Sequence, residues 1–379
     1  MKQIFEYIET NLQKYVDFLR DICSFEATAY DKEELDKMAD FMADFALKEG
    51  FAVRREAFEK CGDFLTVEMN PGAEKGHVFM AHTDTVHKKG VFGTPAVRIE
   101  GDRMIGPGTI DCKGGIAIAM LCMKALKEHG YSKHLKLLLT SDEEISNVLG
   151  GEQEQEYFRR ETEGFKTALN CETTEGNQVV VSRKGILRRR INIKGKGGHS
   201  GIAYFDCISA VREAAYKIVE LEKCSVRGGT TYNCGVINGG TVPNIVPETC
   251  SFIVDVRVVR AEDMQQASDT IERIVSTSFV EGTVSTVEPI STRPPMNRDD
   301  ITDNLFDAMQ KTSLKYGLGE LEVSESGGGS DSAYTQAFGI PSLCGLGGSG
   351  EFCHTNREYI RLSSVEQRAK LLSAFCAEN

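Results

Sequence analysis

Residues 76–89 read GHVFMAHTDTVHKK. An apolar run at 78–81 stops at His82, Asp84 follows two residues on, and His87 comes soon after. The run has the length and apolarity of a buried strand, and what ends it is a histidine and an acid. In open α/β sheets, ligands bind beyond the carboxyl ends of the strands. The same event recurs along the chain. LKLLLT (135–140) is followed by Asp142, Glu143 and Glu144; KTALN (166–170) by Glu172; IPSLCGLGG (340–348) by His354. Asp111 sits in GPGTIDCKGG (106–115), just before a glycine-started apolar helix expected at 114–130. Singly, each residue is accounted for as a cap or a loop side chain. Their arrival at one edge of one sheet is not.

The fold expectation grows from these strands. FLTVEM (64–69) and HVFMA (77–81) alternate with helical patterns. Residues 1–15, MKQIFEYIETNLQKY, begin an amphipathic helix with Phe5, Ile8, Leu12, Val16 and Leu19 on one side. A second helix starts after Asp31 and stops at Gly50. Such alternation predicts an α/β domain with a mixed, largely parallel sheet. The middle of the chain changes character. Strands at 185–195 and 248–259 and helices at 207–223 and 262–279 suit a smaller α+β unit with an antiparallel sheet. In the 207–223 helix, Ile208, Val211, Ala215, Ile218 and Val219 form the expected buried cluster. STRPPMN (291–297) is expected to be the return linker. The expected domains are therefore a larger one, 1–185 with 293–379, and a smaller one inserted into it, 186–292.

Composition narrows the function classes. The chain has 379 residues and a net charge of −12, which disfavours nucleic acid as a main partner. No apolar run approaches the roughly 18 residues of a membrane helix, and the N-terminus has acids where a signal peptide has an apolar core. Twelve cysteines without a C-x-x-C pair fit small buried residues in a cytoplasmic, reducing setting.

Close-packed carboxylates repel, and burial raises the cost. A divalent cation removes it. Histidine and carboxylate donors without a thiolate pattern favour zinc, with cobalt or manganese as substitutes. Two histidines and three acids exceed what one open catalytic ion needs and suit two ions sharing a carboxylate.

HTD, GTIDCKGG, DEE, CET and CHTNREY, in this order and spacing, resemble the two-zinc peptidase and deacylase family of aminoacylase, carboxypeptidase G, acetylornithine deacetylase and succinyl-diaminopimelate desuccinylase. The resemblance spans nearly the whole chain. It implies a zinc-peptidase-like catalytic domain in which Asp111 bridges two metals, His82 and Glu172 complete one site, and Glu144 and His354 the other. It implies Glu143 as general base, Asp84 as the acid orienting the His82 ring, and a cis peptide after Asp111. His87 has no role in it and is expected to be a surface loop histidine. GKGGHSG (195–201) implies that His199 reaches the partner subunit's site in a homodimer and steadies the oxyanion. TVPNIVPE and DVR imply Asn244 on the reacting carbonyl and Arg257 on a substrate carboxylate. GGGSD (327–331) implies a glycine loop, Gly328, Gly329 and Ser330, near substrate.

The expected function is metal-dependent hydrolysis of amide bonds in small peptides or N-acyl amino acids, with water held between the metals and deprotonated through Glu143. The alternative is a catalytically silent metal- or peptide-binding protein of the same fold, against which Glu143 and all five ligand positions stand. A glycine-loop nucleotide binder lacks a P-loop or a Rossmann fingerprint. One departure from the pattern is DEEISNVLGG (142–151), which has no glycine soon after the acid pair, so its loop is expected to be reshaped.

Overall fold

The computed structural model describes residues 1–379. They form two compact units: residues 1–182, 298–326 and 330–379, and residues 183–297 with 327–329.

The first unit is built on a six-stranded sheet. Its order is Ala52–Glu56, Phe64–Met69, His134–Thr140, Lys75–His82, Thr167–Asn170 and Ser342–Leu343. The first three strands are antiparallel neighbours. The remaining pairings are parallel. Every residue of His134–Thr140 and Thr167–Asn170 is buried, as in strands covered on both faces. Alternate side chains separate into two cores. Phe79 and Ala81 join Leu135, Leu137 and Leu139 under the helices Lys2–Cys23, Lys113–Glu128 and Leu362–Glu378. Val78 and Met80 join Leu138 and Ala168 under Gly151–Thr162, which brings Tyr157 and Phe158.

The Lys113–Glu128 helix is buried over almost its whole length. Its glycine start has a steric cause. A Cβ on Gly115 would stand 1.9 Å from the carbonyl oxygen of Cys171, at the end of the Thr167–Asn170 strand. Glycine thus lets the first helical turn, and Asp111 before it, press against the strand ends. No helix is long and apolar enough to cross a membrane.

The second unit carries a four-stranded antiparallel sheet, ordered Thr231–Gly239, Thr249–Val258, Gly185–Lys194 and Val284–Arg293. The helices Ala210–Glu222 and Asp263–Ser276 supply its core with Ala210, Ala214, Leu221, Ala267, Ile271 and Ile274. Two sequence expectations are corrected here. Residues 291–293 are not linker: they complete the edge strand Val284–Arg293, whose register shifts between Pro289 and Ser291. Proline is tolerated at an edge or a bulge, and it masked the strand. The helix Ala210–Glu222 also buries only part of the expected face: Val211 and Ile218 pack half-buried against this core, and a neighbouring face goes fully inward. Ala210, Glu213, Ala214, Lys217 and Leu221 are buried, Val219 is 51% exposed, and Ile208 precedes the helix. Glu213 and Lys217 form a fully buried pair at 2.7 Å. Lys217 Nζ donates to the carbonyls of Ile274, Val275 and Thr277, and Glu213 accepts from the Phe279 and Val280 amides. The pair terminates the neighbouring helix by satisfying its last carbonyls.

Candidate metal centre

Parallel strands ending side by side place the candidate residues. The Thr83 amide donates to the Thr140 carbonyl at 2.8 Å, and the Cys171 amide to that of Met80 at 2.8 Å. Three strand ends are thereby fixed in register, and His82, Glu143, Glu144 and Glu172 leave from them.

Asp111 stands at the middle of the cluster. His82 Nε2 lies 3.2 Å from its Oδ1, and His354 Nε2 lies 3.1 Å from its Oδ2. Each imidazole has a second acid of its own. His82 Nε2 is 3.5 Å from Glu172 Oε1, and His354 Nε2 is 3.2 Å from Glu144 Oε2. His82, Asp111, Glu143 and Glu172 are buried; the His354 side chain is 54% exposed and gives the cluster an open side. His354 has φ +62, a left-handed backbone uncommon outside glycine. The peptide from Asp111 to Cys112 is cis, as the resemblance implied.

These residues suit divalent cations. Burial, followed by the Asp111 charge, pushes the Glu144 carboxyl up to about 8. Hydrogen bonds donated to the Asp111 and Glu144 carboxylates raise His354 to about 11. Protons thus collect where negative charge is crowded, and a metal ion meets the same need. His82, Asp111 and Glu144 offer donor atoms within 4.8 Å of one another, as do His82, Cys112 and Glu172.

Asp84 faces the His82 ring with both its backbone oxygen and its carboxylate. The best partner of His82 Nδ1 is the Asp84 backbone oxygen at 3.0 Å, with the carboxylate at 3.3 Å. Donation to that carbonyl leaves Nε2 as the ligating nitrogen. The Asp84 carboxylate also accepts from the Glu143 and Glu144 amides, at 3.3 and 3.1 Å. It therefore anchors the short 3₁₀ turn Glu143–Ile145 that carries both acids. Beyond that turn, Ser146 and Asn147 take φ +65 and +59, so left-handed residues replace the expected glycine. Asn147 holds the bend through Glu154 and Asp331.

His87 is not on the surface. It is buried, its Nε2 lies 2.7 Å from Glu358 Oε2, and its ring meets Phe92 edge-on at 4.9 Å. Sequence reasoning missed Glu358. Its only signal was its position inside CHTNREY, four residues after His354.

His199, Asn244 and Arg257 belong to the second unit. His199 is exposed and pairs with Ile245, while the Ser200 amide donates to the Asn244 carbonyl at 2.9 Å. Arg257 and Arg188 both pair with Asp255, at 2.6 and 2.8 Å, so two guanidiniums share one carboxylate. In the glycine loop Gly328 is exposed and Gly329 half-buried, but Ser330 is fully buried. The Ser330 hydroxyl is engaged by Asn170 and Ser332.

Residues 78–378 match the sequence profile of peptidase family M20/M25/M40. Carboxypeptidase G2 of Pseudomonas sp. (strain RS-16) is 30% identical over 302 residues, covering 78% of this chain and 71% of that protein. Acetylornithine deacetylase of Myxococcus xanthus is 28% identical over 228 residues, 55% of this chain and 57% of that one. Among solved structures, an M20 family metallo-carboxypeptidase from Sulfolobus solfataricus, Sso-CP2, superposes with a TM-score of 0.81 at 17% identity, covering 96% of this chain and 98% of the other. With that profile spanning most of its length and both folded units, the chain belongs to the M20/M25/M40 peptidase family.

Proposed function

We propose that the chain is a zinc-dependent amidohydrolase cleaving small peptides or N-acyl amino acids. One observation carries the reading: two imidazoles stand on the two oxygens of the Asp111 carboxylate, and each has a second acid beside it. In this reading Asp111, His82 and Glu172 would hold one ion, and Asp111, Glu144 and His354 a second. Such ions, when bound, supply Lewis acidity and lower the pKa of water towards 7. Glu143 then receives a proton on its carboxylate from the attacking water and delivers it to the leaving nitrogen. Asp84 keeps Glu143 aimed by fixing the amide that precedes its side chain. The imidazole of His199 donates an N–H to the developing oxyanion in the partner subunit's site, and Asn244 holds the reacting carbonyl. Arg257 recognises a substrate carboxylate, supported by the surplus positive charge of two arginines on Asp255. Gly328 and Gly329 are the parts of the glycine loop open to substrate.

The homodimer belongs to the same reading. Thr231–Gly239 is an edge strand of the small sheet, and Val236 and Ile237 on it are about half exposed. Tyr216 and Val219 add exposed apolar area on the helix Ala210–Glu222. Residues 186–292 are the lid and dimerisation part, and the remainder is catalytic. Twelve cysteines with no disulfide among them support a cytoplasmic setting. The relatives' names span a carboxypeptidase and a deacetylase, so the test is a panel of dipeptides, tripeptides and N-acyl amino acids with purified protein, before and after chelation. Metal-dependent release of a free amino acid from one class supports the proposal. Zinc-loaded protein inert on the entire panel contradicts it.

A further inference from the structure

Three of the loops that carry candidate ligands, those of His82, Asp111 and His354, meet at one buried carboxylate. Glu358 is 1% exposed and lies on the loop that follows His354. Its Oε1 accepts from the amides of Ile110 and of Asp111, at 3.1 and 3.3 Å. Its Oε2 lies 2.7 Å from His87 Nε2, on the loop that begins at His82. Its backbone oxygen accepts from the Gly106 amide at 3.2 Å, and its own amide donates to Thr355. His87 is held in turn. Its amide donates to Thr85 Oγ1, the Thr85 amide donates to Ala27, and Phe92 closes over the ring.

We infer that Glu358 and His87 are positioning residues that set the backbone of Asp111 and so the aim of its shared carboxylate. A carboxylate only accepts hydrogen bonds, so His87 Nε2 carries a proton towards Glu358. That bond fixes one carboxylate oxygen and leaves the other for the Ile110 and Asp111 amides. Without His87 the Glu358 side chain is free to rotate, and the amide of Asp111 loses its fixed acceptor. Neither residue touches substrate or metal; both act through Asp111. Partners of this kind, one bond removed from a ligand, typically alter metal affinity by about 10–100-fold.

The inference rests on Asp111 being a metal ligand, and cobalt(II) titration separates the two questions. Full-length protein stripped by a chelator is titrated with cobalt(II), read by its visible spectrum and by competition with a chromophoric chelator. His87→Gln keeps a donor at the reach of Nε2; His87→Asn is too short to meet Glu358. The expected result is cobalt binding weakened about 10–100-fold in His87→Asn and restored in His87→Gln, with unchanged circular dichroism of the metal-free forms. Equal affinities in wild type and both variants overturn the positioning role. So does equal loss in both, which marks His87 as packing alone. Should His87→Asn fail to fold, Glu358→Gln carries the test. Its amide group turns donors towards His87, so the ring proton moves to Nδ1, read by nitrogen-15 NMR, and cobalt affinity falls. An unmoved proton with unchanged affinity overturns the inference. Wild-type protein that binds no cobalt overturns the metal reading and this inference with it.

Discussion

Asp142, Glu143 and Glu144 are consecutive acids with three different surroundings. Asp142 accepts from the Leu149 and Gly150 amides and shapes the loop. Glu144 faces His354. Glu143 is buried in the same turn, held by Asp84 through its amide. Different losses are therefore expected from the same substitution. Glu143→Gln keeps the shape but cannot accept a proton, so kcat should fall about 10²–10⁴-fold with metal retained. Glu144→Gln should instead release metal more readily, read by chelator competition, with turnover recovering when zinc is in excess. Near-normal kcat in Glu143→Gln would remove it from the mechanism. The gathering of His82, Asp111, Glu144, Glu172 and His354 was legible because each follows an apolar strand or precedes a buried helix. Glu358 and His87 were not legible. Loop residues that meet only in three dimensions leave no periodic trace.

At the scale of elements, hydrophobic pattern located most strands and helices but misjudged a face. A lysine and a glutamate four residues apart ordinarily mark the solvated side of a helix. In Ala210–Glu222 they mark the buried side, because Lys217 and Glu213 serve the backbone ends of the neighbouring helix and loop. Lys217→Met is expected to destabilise the second unit by about 3–5 kcal/mol, since it strands a buried carboxylate. Adding Glu213→Leu should recover part of that loss. Urea unfolding of the single and double variants checks it, and a single variant as stable as wild type would show the pair to be idle. The edge strand Val284–Arg293 escaped for a related reason. Its outward polar residues and Pro289 resemble loop, and only pairing with Gly185–Lys194 makes it a strand.

At the scale of the whole molecule, the proposed trans role of His199 is open to a complementation test. If His199 serves the partner subunit, two inactive chains should complement each other. Mixing Glu143→Gln with His199→Ala should yield heterodimers with one complete site, and activity should rise well above either parent. Demonstrated heterodimers with background activity would refute the trans role. The family, and with it the two-unit plan, was legible in ordered motifs that run the length of the chain; oligomeric state was not, because edge strands and exposed apolar residues do not encode their occupant. Beneath all of this lies the claim that Asp111 and the four side chains around it hold a pair of catalytic ions. Elemental analysis of extensively washed, peptidase-active protein tests it most directly. The account predicts about two zinc ions per chain, lost together with activity on chelation and regained together on adding zinc. Full activity in protein free of transition metal would contradict it.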